Sequence, residues 1–218
     1  ELFKYAKKIG ITIFSTPFDE EAADLLESLN TPAYKIASFE LTDLPLIDYV
    51  ARKRKPILIS TGMGNLGEIT DAIKIAKDAG CKDILLFHCI SSYPTPTSEA
   101  NIRTIEFLRK QFNVEIGLSD HTISDTAALA AVSLGAVAIE KHFIINREDK
   151  GPDSEFSIEP KQLRELVKNS KSCWEALGSK DFCRSELESK SKVFRRSLYF
   201  VRDINAGESI TKEHIRRI

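Results

Sequence analysis

"GLSDHTISDTAALAAVSLGAVAIEKHF", residues 117–143, sets two apolar strand-like runs on either side of a small-residue stretch with helical spacing. Each run ends on a histidine, His121 and His142, in a chain that has only four. Short, nearly continuous apolar runs are what strands buried on both faces look like, so the segment predicts a strand, a crossover helix and a parallel strand. Neighbouring strands lie about 4.8 Å apart, so imidazoles at matching strand ends are near enough to share one ion. A single strand-end histidine is ordinarily a hydrogen-bonded structural residue; an equivalent pair favours a metal site. With no thiolate partners nearby, the pair suits Mn, Fe, Co or Zn with open coordination positions rather than a closed structural zinc.

The same alternation recurs outward from this segment. "ITIFSTP" (11–17), "AYKIAS" (33–38), "PILIST" (56–61), "ILLFHC" (84–89), "VEIGLS" (114–119) and "AVAIEKHF" (136–143) read as strands. Between them lie amphipathic stretches. In "DEEAADLLESL", Ala22, Leu25, Leu26 and Leu29 are expected to share one buried face. "NLGEITDAIKIAKDAG" has Asn65 as N-cap, Glu68 three residues on and Gly80 as its stop. "ANIRTIEFLRKQF", "SDTAALAAVSLG" and "EPKQLRELVKNSKSCWEAL" follow the same rule, while the basic run "ARKRKP" (51–56) reads as a solvated helix end. Six βα units are visible, and the chain opens in what reads as the helix of another. The expected fold is therefore α/β, a (β/α)8 TIM barrel with six units in this chain and two upstream. An open doubly wound sheet is the rival; it would ordinarily carry a Gly-rich phosphate loop, and the glycines of "STGMGNLGE" have the wrong spacing.

At 218 residues the chain is longer than one ordinary domain. Residues 1–178 are expected to form the partial barrel, 179–194 a polar linker, and 195–218 the start of a small second domain. In that last segment "SLYFVRDINAGESITKEHI" predicts a strand, a turn at Asn205–Gly207 and a capped helix from Thr211. A net charge of −1 offers no electrostatic case for nucleic acid or an anionic membrane surface. No apolar run approaches about 18 residues, so no membrane span is expected. Cys81, Cys89, Cys173 and Cys183 form neither a C-x-x-C motif nor a disulfide framework, and no leader precedes the first strand, so the cytoplasm is the expected compartment. The chain lacks an initial Met and stops at "HIRRI", so both ends are expected to be cut.

Chemistry in a barrel collects at the C-terminal strand ends. Read in order, these give Ser15 and Thr16; Lys35, Ser38 and Glu40; Ser60 and Thr61; His88, Ser91 and Tyr93; Ser119, Asp120 and His121; Glu140, Lys141 and His142. Lys35 interrupts an apolar strand, and a buried ammonium needs a partner: Glu40, Asp120 or an anionic ligand. With Ser38, Ser60, Thr61 and Ser119 beside it, a phosphate or carboxylate is the economical reading. His88, in mid-run before Cys89, fits either core or site.

"FSTPFD", "YKIASFE", "ISTGM", "HCISSYPTP", "GLSDHT", "EKHF" and "GPDSEFS" resemble, in order and spacing, the sialic acid synthase family. The resemblance implies condensation of phosphoenolpyruvate with an N-acetylated hexosamine to a nine-carbon nonulosonic acid and phosphate. It further implies a divalent metal (usually Mn²⁺, with Mg²⁺ or Co²⁺ as alternatives) and a C-terminal SAF (antifreeze-like) domain covering the partner's site in a domain-swapped homodimer. On that likeness His121 and His142 are the metal ligands, and Thr16, Lys35, Ser38, Ser60 and Ser119 hold phosphoenolpyruvate. Glu40, Tyr93 and Asp153 face the sugar, with Glu40 and Asp153 as catalytic candidates. Ser91, a further substrate-binding residue on this likeness, stands where many N-acetylneuraminate synthases have Asn. "GPDSEFSIEP" and "FRRSLYFVRDI" look more like the pseudaminic acid branch than the neuraminate or legionaminate branches. A synthase for an octulosonate or heptulosonate phosphate, a non-catalytic sugar-phosphate binder and a dimerisation module are the rival readings.

Overall fold

In the computed structural model, Tyr34–Ile36 (β1), Ile57–Ser60 (β2), Ile84–Cys89 (β3), Glu115–Asp120 (β4) and Ile139–Lys141 (β5) pair in parallel, in that order. All residues are described except 180, 183 and 184, so Cys183 and part of the expected linker lie outside the described residues. The chain divides into two compact units, Glu1–Gly178 and Ser179–Ile218.

In the first unit, helices Leu2–Ile9 (α1), Glu20–Ser28 (α2), Leu44–Ala51 (α3), Leu66–Asp78 (α4), Thr104–Phe112 (α5), Thr126–Ser133 (α6) and Pro160–Leu177 (α7) lie between and around the strands in sequence. Local chemistry sets their ends. Asn65 and Glu68 close a reciprocal capping box at the start of α4, which satisfies two N–H groups that the helix leaves orphaned. Asp19 caps α2 by accepting from Ala22 N–H at 2.7 Å. The basic run does end a helix, α3, and three of its four charges are paired: Arg52 with Asp48, Lys53 with Asp24 and Lys55 with Glu27. The core lies between sheet and helices, where Ile36, Ile47, Ile57, Ile59, Leu86, Ile105 and Ile116 are fully buried.

The sheet is curled rather than open. Four strand spacings separate β1 from β5, about 19 Å if the sheet were flat. Yet Lys35 on β1 and Glu140 on β5 meet at 3.3 Å. Two side chains of that length reach each other only when the first and last strands bend towards a common interior. This observation excludes the open doubly wound sheet.

Three expectations need correction. "ITIFSTP" forms no strand; it holds only a single bridge, Ser15 to Tyr34. Ile11 and Phe14 stay exposed, so no packing supports a longer ladder there. In α2 the buried residues are Ala23 and Leu26, while Leu25 and Leu29 face solvent, a rotation of the apolar stripe by about one residue. No helix starts at Thr211. In the second unit, Leu198–Phe200 (β6) pairs antiparallel with Ile215–Arg217 (β7), so residues 212–214 are a turn into a strand and a helix has no room to propagate. The turn around Gly207 is present, with φ +89°, and is closed by Glu208 N–H donating to Asn205 O at 3.0 Å. Glu186–Ser189 (α8) precedes this hairpin.

Candidate active site

The C-terminal strand ends enclose a cavity of about 390 Å³ lined by Thr16, Lys35, Ser38, Ser60, Tyr93, Ser119, His121 and His142, together with Phe18, Ala37, Phe39, Cys89, Glu140 and Lys141. A wider cleft of about 650 Å³ opens at the opposite strand ends, lined by Ile57, Ile84 and Val114 among others. The smaller cavity is the chemical one, because the buried polar groups converge there.

One side of the cavity is a set of donors aimed at a common point. Lys35, only 7% exposed, donates to Ser60 Oγ at 2.8 Å and pairs with the half-exposed Glu140. Ser119 Oγ donates to the same carboxylate at 2.7 Å. The partner of Lys35 is therefore Glu140, and neither Glu40 nor Asp120 fills that place. Asp120 pairs instead with Lys141 at 2.9 Å. Donors that already converge on one carboxylate are arranged to receive an anionic oxygen.

The other side is the histidine pair. The His121 and His142 ring centroids lie 5.2 Å apart. His121 Nδ1 donates to Ile90 O at 2.8 Å, since a carbonyl only accepts; this leaves Nε2 with its lone pair free. His142 Nδ1 lies 3.3 Å from Asp153 Oδ2, which orients that ring in the same sense. Beyond His142 the backbone is pinned by Ile158 N–H to His142 O at 2.9 Å and Ile144 N–H to Ile158 O at 3.0 Å. Tyr93 packs against His121 with its ring tilted by 45° and centroids 4.2 Å apart, and Phe156 stands edge-on to His142 at 4.9 Å. Burial opposes the charged form of His121, but Cys89 and the Ile90 carbonyl outweigh it and hold the imidazole above its ordinary pKa. Burial, then the charge of His121, push His142 below the ordinary value despite Asp153. Burial would raise the Cys89 thiol, yet contacts with His121 and Ser38 bring it down.

A family model described as NeuB matches residues 1–182. The chain belongs to the NeuB family. It is 42% identical over 219 residues to the pseudaminic acid synthase of Helicobacter pylori, covering 100% of this chain and 64% of that protein. It is 39% identical over 218 residues to the N,N'-diacetyllegionaminic acid synthase of Campylobacter jejuni, covering 99% and 65%. The crystal structure of N-acetylneuraminic acid synthetase from Leptospira borgpetersenii superposes with a TM-score of 0.83 at 32% identity, over 89% of this chain and 68% of that one. The chain spans about 64% of the length of these two curated relatives.

In this NeuB-family chain, three of the residues anticipated from sequence stand outside the cavity lining. Glu40 sits in the 3₁₀ turn after β1, and its Oε2 is buried without a hydrogen-bond partner among the described residues. Ser91 is not part of the lining and has its Oγ 3.9 Å from Cys89 Sγ. Asp153 is absent from the lining and touches it only through its contact with His142 Nδ1 at 3.3 Å. Ser38 lines the cavity, but its Oγ accepts from Gly62 N–H at 3.1 Å and donates to Cys89 at 3.6 Å. Thr61 donates to Phe87 O at 3.0 Å and His88 to Ala100 O at 2.8 Å; both are structural. Phe18, Phe39 and Cys89 line the cavity without a functional signal of their own in the sequence, where Cys89 reads as a buried apolar-run thiol.

The donor chemistry fits a divalent cation. Two imidazoles present free Nε2 atoms while both Nδ1 atoms are held by acceptors, the arrangement that fixes ligand orientation at metal sites. Among the described residues no group of three or more His, Cys, Asp or Glu side chains could hold an ion, so further ligands would come from water or substrate.

Gly117, two residues before Ser119, explains part of the strand's placement. A Cβ there would lie 2.6 Å from Phe87 Cε1 and 2.8 Å from the Ala138 carbonyl oxygen. Gly117→Ala is expected to cost about 1–3 kcal/mol of stability through overpacking against backbone. A urea midpoint equal to that of the parent protein would contradict this packing.

Proposed function

We propose that this chain carries the catalytic unit of a nonulosonate synthase, an enzyme that condenses phosphoenolpyruvate with an N-acetylated hexosamine and releases phosphate. The observation supporting it is the meeting, in one cavity, of the Lys35–Ser60–Ser119 donor set and the His121–His142 pair. Motif likeness favours pseudaminic acid synthase; legionaminate or N-acetylneuraminate synthase is the second reading, with relatives of either kind at similar identity. The proposal extends to a closed eight-stranded barrel, a SAF domain beginning in residues 195–218, a domain-swapped homodimer, Mn²⁺ as the metal and the cytoplasm as compartment. No helix among the described residues is long and apolar enough to cross a membrane.

Carbon 3 of phosphoenolpyruvate forms a bond to the aldehyde carbon of the open-chain sugar, water adds at carbon 2, and the C–O bond to phosphate breaks. Lys35 neutralises the phosphate or carboxylate, while Ser60, Ser119 and Thr16 supply hydroxyls that fix its orientation. Phosphoenolpyruvate takes the donors that Glu140 now engages, which frees that carboxylate within reach of the reacting carbons. His121 and His142 would hold a divalent cation, which would supply Lewis acidity for polarising a carbonyl. Asp153 holds the His142 ring, and Tyr93 closes the side of the cavity beside His121. A passive sugar-phosphate binder accounts for Lys35 and the serines but gives no reason for paired imidazoles with free Nε2 atoms.

The test is phosphate release from phosphoenolpyruvate by the intact gene product with Mn²⁺ and a panel of open-chain-accessible hexosamines. The expected result is release with a 6-deoxy di-N-acetylated hexose and less with N-acetylmannosamine. Absence of phosphate release with every sugar in the panel would favour the passive binder.

A further inference from the structure

Lys141 lies on β5 between Glu140 and His142, and its register partner on β4 is Asp120, which precedes His121. The two side chains form an ion pair at 2.9 Å, with 4% and 1% of their side-chain surfaces exposed. Asp120 Oδ2 has no aligned hydrogen bond among the described residues, so this contact is one of charge. The Lys141 ammonium also donates to the carbonyl oxygens of Thr122 and, at 3.3 Å, of Ser124. Asp120 Oδ1 accepts from Thr122 N–H at 2.9 Å. One buried cation therefore holds both ends of the turn that carries His121, and its own chain neighbour is His142.

From this geometry we infer that Lys141 is a positioning residue for the histidine pair: it sets the His121 turn against β5 so that both Nε2 atoms address one point. The inference rests on the reading of His121 and His142 as sharing a cation. A buried ion pair is a poor source of net stability compared with apolar packing, but it is a strong source of fixed geometry when hydrogen bonds hold both members, as two carbonyls hold Lys141 and Thr122 N–H holds Asp120 Oδ1 here. Simple charge neutralisation of Asp120 is the rival role, and it requires no contact with the carbonyls.

Mn²⁺ titration of the intact protein, followed by electron paramagnetic resonance of the free ion and paired with metal-free melting curves, separates the two. Lys141→Met is expected to weaken Mn²⁺ binding about 10–100-fold, the range for groups that orient metal ligands, and to lower the melting temperature by stranding Asp120. Asp120→Asn combined with Lys141→Met keeps the Oδ1 acceptor for Thr122 and removes the stranded charge. That double variant is expected to regain the lost melting temperature while retaining the weakened affinity. Parental affinity in the double variant would overturn the positioning role and leave only neutralisation. A parent protein with no saturable Mn²⁺ binding would overturn the cation reading and this inference together.

Discussion

Lys35→Met is expected to lower kcat/KM for phosphoenolpyruvate about 10³-fold or more, equivalent to about 4 kcal/mol of transition-state stabilisation. The magnitude follows from position. Lys35 is almost fully buried, in the curled interior, and the hydroxyls of Ser60 and Ser119 are disposed around it and its carboxylate partner. A charge in such a place acts through a low effective dielectric and needs little reorganisation when an anion arrives. Lys141 also lines the cavity but is committed to Asp120 and two carbonyls, so it is no substitute. Methionine preserves the length and apolar contacts of the lysine stem. Glu140, left without its cation, is 39% exposed in its side chain and stays hydrated, so the melting temperature should move little. Lys35→Arg should recover only part of the activity, because a planar guanidinium does not reproduce a compact ammonium between Ser60 and Glu140. Steady-state kinetics with phosphoenolpyruvate varied at saturating sugar measure this; parental kcat/KM in Lys35→Met would remove the anion site from its assigned place.

His121→Ala is expected to lower kcat by at least about 10³-fold with the fold retained. The ring makes one backbone hydrogen bond, to Ile90, and it also contacts the thiol of Cys89 and the rings of Tyr93 and His142, all of them at the cavity, so little of the core depends on it. His142→Ala should give a loss of similar size. The informative comparison is the double variant. Two imidazoles serving one ion act as a unit, so removing both should cost no more than about tenfold beyond removing one. Losses that multiply across the two single variants would mean independent roles and would contradict a shared cation.

Much of this arrangement was legible in the chain because βα alternation is written in short β-branched runs, and strand ends can be read in order. Lys35 announced itself as a charge inside "YKIAS", and His121 and His142 as a repeated strand-end residue. Pairing across the curl was not legible. Lys35 and Glu140 are 105 residues apart, and nothing local distinguishes Glu140 from Glu40 or Asp120 as the partner. The register that sets Asp120 against Lys141 is likewise a property of how β4 and β5 pair, which the sequence of either strand does not state. Residues 11–17 misled because an apolar β-branched run signals burial on both faces, whereas here only Ser15 finds a ladder partner. The segment after Thr211 misled because a capping residue followed by charged residues has the helical pattern, and the pairing of Ile215–Arg217 with Leu198–Phe200 overrides it. The lesson for Cys89 is similar: an apolar run hides which of its residues turns into a cavity.

The central claim is that His121 and His142 grip one cation at the rim of the curled sheet. X-ray diffraction from crystals of the intact protein soaked in Mn²⁺, collected at the manganese absorption edge, tests it most directly. A shared cation gives a single strong anomalous peak within coordination distance of both Nε2 atoms. A peak bound elsewhere, or none at these two nitrogens at saturating Mn²⁺, would contradict it.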